Sequence, residues 1–335
     1  MILREFKVLD FTRLLPGPLA TYWMAQAGAE VIKIEDAEKP DGIHAYSSGP
    51  LAAAHLFEAL NYGKKVFNAY PLSGLASSTE FASMLASADV LVEQFKPGLM
   101  DKLGLGYRDL SVLNPRLIYV SLSGFGSARP EPGHDLNFIA ESGLLHLLRD
   151  SSGKPVIPRF QLGDVTGSHA CYSAVLEAII ERSRTGKGSF REVNMTAALL
   201  PFASIPFRFA EAGLHGMADF LAGTIPNYNV YRCADGEYLA LGALEYHLWK
   251  NVAGALNMPE TLLNAYNNPS MLPEMTDFFA TKPLAQWLEL AQGKNTCISP
   301  VCKPGDAHFN RINQSGIQEI ETEDGKRIRI FSSPH

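Results

Sequence analysis

An imidazole at His134 and a carboxyl group at Asp164 are the two side chains of this chain best suited to moving protons. His134 stands in "EPGHDLNF", between the glycine-rich turn "SGFGSARP" and the apolar run "FIAESGLLHLL". Asp164 opens the stretch "DVTGSHACYSAVLEAIIERSRTGKG". Imidazole titrates near neutrality, so a loop histidine can give or take a proton at physiological pH. A carboxyl group facing it would complete an acid–base pair if the surroundings drive the two pKa values apart. Each residue also has a plain reading: His134 as a structural histidine, Asp164 as the N-cap of a helix. An Asp at a helix N-terminus is held ionised by the helix dipole, so an acid role for Asp164 requires opposing desolvation.

Other side chains extend the candidate set. Asp135 reads as a cap for the helix "LNFIAESG", which would aim the first N–H groups of that helix at whatever His134 faces. Glu245, in "LGALEYHLW", ends a strand and could fix the tautomer of an imidazole. Lys33, Lys64, Lys65 and Lys96 fall near strand ends or the loops after them. Singly they are solvated lysines; together they form an expected patch for a phosphorylated cofactor.

These residues need a scaffold, and the sequence supplies one. "FKVLDF", "PLATYWMAQAG" and "AEVIKIED" read as strand, helix and strand, a βαβ unit that implies a parallel sheet. The turn after the first strand, "TRLLPGPLA", is not G-x-G-x-x-G, so an NAD-type dinucleotide is not indicated. The helix "SSTEFASMLASA" precedes the strand "DVLVEQF", and short helices then lead to the strand "RLIYVSLSGFG". From Asp164 to Gly188 runs the clearest helix, with apolar residues at 171, 175, 176, 179 and 180 on one face. "SFREVNMTAALLPFASIPFRFAEAG" reads as a strand and a long apolar helix, and "YNVYRCADGEYLALGAL" as a hairpin. Short helices between 245 and 295 complete a smaller α+β domain, and a terminal hairpin around "EDGK" returns to the first domain. The expected division is 1–200, 201–310 and 311–335.

Composition narrows the function classes. The chain has 335 residues, 46% hydrophobic and 19% charged, as expected of a globular protein with a sizeable core. Its net charge of −6 argues against a nucleic-acid partner. No apolar run is long enough to cross a bilayer, and the N-terminus lacks a signal-peptide pattern. Four scattered cysteines match neither a zinc set nor a disulfide framework, which fits reduced thiols in the cytoplasm.

The order of motifs resembles the family III CoA transferases together with the α-methylacyl-CoA racemases. The likeness rests on "VLDFTRLLPGPLATYWMAQAGAEVIKIE", "LVEQFKPGLMDKLGLGYRDLSVLNPRLIYVSLSGFG", "LGDVTGSHACYSAVLEAIIERSRTGKG" and "YRCADGEYLALGALE". "TCISPV" adds a shorter match, and beyond about 305 the likeness fades into a short C-terminal end. "NYGKKVFNAYPLSG" departs from the basic-then-acidic pattern usual after the glycine. "GHDLNFIAESG" is similar to the racemase version of its loop, since transferase members usually lack this His.

The resemblance implies a Rossmann-like large domain built from both chain ends, a smaller α+β domain, and an interlocked homodimer. It implies an acyl-CoA thioester as substrate, with coenzyme A as part of it and no tightly bound cofactor or metal. His134 and Asp164 would then be the acid–base pair, with Glu245 supporting His134 across subunits and the Asp135 backbone N–H near the thioester oxygen. Arg13, Leu15, Lys33, Lys64, Lys96, Leu103, Gly104, Tyr107 and Gly124 would contact the CoA moiety. The expected reaction is inversion of a 2-methylacyl-CoA by two-base proton transfer through an enolate. The alternative is CoA transfer, with Asp164 attacking the thioester as an ionised nucleophile. A third reading, an acyl-CoA binder without turnover, would need neither His134 nor Asp164.

Overall fold

The computed structural model describes residues 1–44, 50–69, 71–150, 152–214, 220–321, 325 and 327–331, with the backbone alone at 50–54 and 328. It divides into two compact units, Met1–Ala203 with Ser315–His335, and Ser204–Gln314.

The first unit is built on strands β1 (Lys7–Phe11), β2 (Glu30–Asp36), β3 (Lys65–Ala69), β4 (Val90–Glu93), β5 (Ile118–Ser123) and β6 (Ser189–Asn194). Their order is β3-β2-β1-β4-β5-β6, and every pairing is parallel. This is the Rossmann-type order, which reverses direction between β1 and β4. The helices are α1 (Pro16–Gln26), α2 (Pro50–Asn61), α3 (Thr79–Ser87), α4 (Leu99–Lys102), α5 (Tyr107–Leu113), α6 (Asp135–Glu141), α7 (Leu144–Leu147), α8 (Leu162–Thr185) and α9 (Met195–Leu199). A parallel sheet covered on both faces needs strands that are apolar throughout. Accordingly, Val8, Val90 and Val120 join Trp23, Cys171 and Val175 on one face, while Leu9, Leu91 and Tyr119 join Phe81 and Leu110 on the other.

The second unit holds α10 (Ser204–Glu211), β7 (Tyr228–Arg232), β8 (Tyr238–Gly242), α11 (Tyr246–Ala255), α12 (Leu272–Phe279), α13 (Leu284–Ala291), β9 (Ile298–Pro300) and α14 (Ala307–Ile312). The three strands form an antiparallel sheet over a core of Tyr231, Trp249, Met275, Phe279 and Trp287. The chain then closes with the hairpin β10 (Ile317–Glu321) and β11 (Arg327–Phe331). Ile320 and Ile330 enter the core of the first unit, and Tyr22 Oη donates to the Phe331 carbonyl at 3.4 Å. Of the "EDGK" turn, all but Gly325 lie outside the described residues.

Three local expectations need correction. The long helix starts at Leu162 with Gln161 at its N-cap, so Asp164 lies inside the first turn and is not the cap. The expected long apolar helix after β6 is broken into α9, a 3-10 turn at Leu200–Ala203 and α10. Pro201 lacks the N–H a continuous helix would need. α2 and the edge strand β3 lie where the sequence suggested no element.

Candidate active site

The loop leaving β5 makes close backbone approaches that only glycine allows. A Cβ on Gly124 would lie 2.3 Å from Cε1 of Phe138, and one on Gly133 2.8 Å from Cε2 of Phe125. The Phe125 and Phe138 rings meet edge to face at 5.2 Å, and the Arg129 guanidinium lies 4.6 Å above Phe125 while pairing with Glu141 at 2.7 Å. This packing delivers His134 to the N-cap of α6, exposed and in extended backbone geometry. The His134 N–H donates to Asn137 Oδ1 at 3.1 Å, and the Asn137 N–H returns to the His134 carbonyl at 2.8 Å.

Asp135 does not cap its own helix with its side chain. Its Oδ1 accepts from the Gly163 N–H at 2.6 Å and from the Asp164 N–H at 3.0 Å, so the carboxylate caps α8. The Leu162 and Val165 N–H groups bond the carbonyls of Phe160 and Gln161 at 3.1 and 3.0 Å. The first four donors of α8 are thus occupied, and none is left for a ligand anion. In α6, by contrast, the Asp135 and Leu136 N–H groups have no acceptor among the described residues. Asp164 itself is half-buried; burial, and then the charge of Asp135, push its carboxyl up to about 7. The desolvation that an acid role demands is present.

At the carboxyl ends of β4 and β5, Lys96, Gly124 and Gly133 line a cleft of about 300 Å³ with Gln94, Phe95 and Met195. Arg13 reaches the same place, its guanidinium 4.6 Å from the Phe95 ring centroid. Leu103 and Tyr107 pack with Phe95 against one core, and Gly104 turns the chain between them at φ +69°. Leu15 is the N-cap of α1.

Lys33 and Lys64 are elsewhere, and the expected lysine patch does not form. Lys33 is buried against Asp41 at 3.2 Å and Glu35 at 3.3 Å, and donates to the Thr12 carbonyl at 2.8 Å. Asp41 also accepts from the Leu14 N–H at 2.8 Å, so this pair builds the β1–α1 loop that carries Arg13 and Leu15. Lys64 is buried against Asp10. Burying an ammonium group is costly unless carboxylates surround it, and buried carboxylates consume both lysines. α1 offers no N–H to a phosphate either. Pro16 and Pro18 have none, the Gly17 N–H bonds Gln94 at 3.0 Å, and the Leu19 N–H bonds Leu15 at 2.9 Å.

Glu245 is the N-cap of α11 in the second unit, with its side chain exposed and its carbonyl accepting from Leu248 and Trp249 at 2.9 and 3.1 Å. Among the described residues no cluster of His, Cys, Asp or Glu is arranged to hold a metal ion, and no helix is long and apolar enough to cross a membrane. Sequence reading missed the Asp135 carboxylate as the cap of α8. The available signal was Gln161, a poor N-cap that leaves the first turn in need of an outside acceptor.

The family model described as CoA-transferase family III matches residues 3–335. The chain belongs to CoA-transferase family III. The match includes the C-terminal segment beyond about 305, past the last of the quoted motifs. Mouse α-methylacyl-CoA racemase is 32% identical over 98% of this chain and 84% of its own length. Mouse succinyl-CoA:glutarate CoA-transferase is 30% identical over 89% of this chain and 72% of its own. The crystal structure of Rv3272 from Mycobacterium tuberculosis superposes with a TM-score of 0.82 at 27% identity, covering 98% of this chain and 91% of that one. Family III therefore brings racemases and transferases equally near, and the reaction must be argued from the site.

Proposed function

We propose that this family III enzyme inverts the α-carbon of a 2-methylacyl-CoA, with His134 and Asp164 as the two proton-transfer groups. The observation that carries the reading is the half-buried Asp164 carboxyl, pushed by burial and Asp135 to about 7, one helix start away from His134. A two-base inversion needs one group basic while the other holds a proton. The base removes the α-proton from one face, electrons pass to the thioester oxygen as an enolate, and the acid returns a proton to the opposite face. The Asp135 N–H is suited to bond the enolate oxygen. Lys96 and Arg13, at the cleft, would meet the phosphates of coenzyme A, which enters as part of the substrate.

The alternative is CoA transfer, favoured by the similarity to succinyl-CoA:glutarate CoA-transferase. There Asp164 attacks the thioester carbonyl, CoA thiolate leaves, and an acyl anhydride forms. That chemistry starts from ionised Asp164, a form that a carboxyl pushed to about 7 supplies only in part at neutral pH. Incubation with a 2-methylacyl-CoA in D₂O distinguishes the two. Inversion predicts α-deuterium incorporation with change of configuration, the inversion being lost in both His134→Ala and Asp164→Ala while each variant can still exchange the proton on the face of its remaining group. CoA transfer to a free acid that survives His134→Ala but not Asp164→Ala would overturn it.

A homodimer accompanies this reading. Leu200, Phe202, Ile205 and Phe207 are 53–66% exposed, an apolar run that suits a second copy. Glu245 would then support His134 from the partner subunit, and the free thiols fit a cytoplasmic setting. Light scattering tests the dimer: a monomeric parent, or a Phe202→Glu/Phe207→Glu variant that stays dimeric, counts against it.

A further inference from the structure

Two helix starts meet at one carboxylate. Asp135 is the first residue of α6, directly after His134, and its Oδ1 takes the Gly163 and Asp164 N–H groups at the start of α8. Gly163 belongs to this joint, because a Cβ there would lie 3.1 Å from the Asp135 oxygen. Gln161 makes no side-chain cap, so Asp135 supplies what the helix itself lacks.

We propose that the Asp135 side chain is a positioning residue that clamps α8 to α6 and so sets both the place and the proton-holding state of Asp164. The inference rests on Asp164 being the reacting carboxyl, which inversion and CoA transfer share. The physical argument has two parts. Two N–H bonds from one oxygen fix the first turn of α8 against the helix that carries His134. A misplacement of about 1 Å at a reacting group can cost on the order of a hundredfold in rate. The same oxygen also occupies the donors that would otherwise favour an ionised Asp164, and it places a like charge beside it.

The remaining elements around Asp164 leave Asp135 as its main charged neighbour. α9 carries no ionisable side chain. On α6 and its cap the others are His134 and Glu141, the latter held by Arg129. On α1 there is Tyr22, bonded to Gln26 at 2.5 Å. On β5 there is Tyr119, bonded to the Leu105 carbonyl at 3.2 Å. On β6, Glu192 is bonded to Ser127 and Arg191 to Glu181. Burial raises the Asp164 carboxyl most, and the charge of Asp135 adds to it.

The two deciding readouts, an NMR titration and amide protection, need no turnover. Carboxyl ¹³C NMR follows Asp164 through a pH titration of the parent protein, with Asp164→Asn assigning the resonance. Asp135→Asn keeps an acceptor oxygen and removes the charge. Its expected effect is a fall of the Asp164 midpoint by about one pH unit, with the Gly163 and Asp164 amides still protected from hydrogen exchange. Asp135→Ala removes the acceptor as well. It should expose those two amides and lower kcat about tenfold or more beyond Asp135→Asn, with KM within about threefold. An unmoved midpoint in Asp135→Asn, or amides still protected in Asp135→Ala, overturns the proposal. Failure of α-deuterium exchange in the parent would instead overturn the inversion reading and leave the titration and amide data to decide this one.

Discussion

The Lys64 ammonium group sits 3.0 Å from Asp10 Oδ2, with both side chains fully shielded from solvent beneath the N-terminal turn of α1. It also donates to the Pro18 carbonyl, Thr21 Oγ1 and Asn61 Oδ1 at 2.9, 2.8 and 2.9 Å. Burial alone would raise the Asp10 carboxyl, but Lys64, Lys33 and the hydroxyls of Thr12 and Thr21 together hold it below its ordinary value. Removing one partner of such a pair strands the other. Lys64→Met should therefore cost about 3–5 kcal/mol in urea unfolding, and Asp10→Asn/Lys64→Met should recover a large part of it. A phosphate-binding Lys64 would behave oppositely, raising the KM for acyl-CoA at unchanged stability.

Asp164 links stability to pH. Its folded pKa is about 7, against 3.8 for the ordinary carboxyl, because of burial and then Asp135. Between those values the unfolded chain releases a proton that the folded chain keeps. Stability is thus lost as pH rises from about 4 to about 7, and the loss is complete above 7. Asp164→Asn removes the titrating group. It should stabilise the protein more at pH 8 than at pH 5, by about 1–3 kcal/mol once water access to this half-exposed group is allowed for. Calorimetry at the two pH values measures this, and an equal shift in Tm at both would contradict it.

The shape of the pH–rate profile separates the two reactions. Inversion requires the His134–Asp164 pair to hold one proton in total, so kcat should fall on both sides of a maximum. CoA transfer requires ionised Asp164, so kcat should rise through about 7 to a plateau, the carboxyl having been pushed there by burial and Asp135. Steady-state rates between pH 5 and 9 show which holds.

Gly124 tests the packing that presents His134. A Cβ there would meet Phe138 Cε1 at 2.3 Å, and the Phe138 ring is buried. Gly124→Ala should destabilise by about 1–3 kcal/mol in urea unfolding, and adding Phe138→Leu should restore much of that. If Gly124→Ala alone matched the parent, the close approach would not be holding the loop.

What could be read from the sequence was whatever depends on near neighbours along the chain. The alternation of β1, α1 and β2, the apolar β4 and β5, and the face of α8 all follow from local periodicity and turn residues. The order of these motifs was enough to recognise the family. His134 in a loop after β5, and Asp164 near a helix start, were also legible, because glycine-rich turns mark such places. Which side chain meets which was not legible. Lys33 and Lys96 look alike in a sequence, yet one is buried among carboxylates and the other lines a cleft. In the sequence Asp135 reads as the cap of its own helix, and only the packing of α6 on α8 carries its oxygen to Gly163 and Asp164, residues 28 and 29 positions away. That contact, with the burial around it, decides whether Asp164 holds a proton. Burial and Coulomb interaction depend on distance through space, which local sequence pattern does not encode.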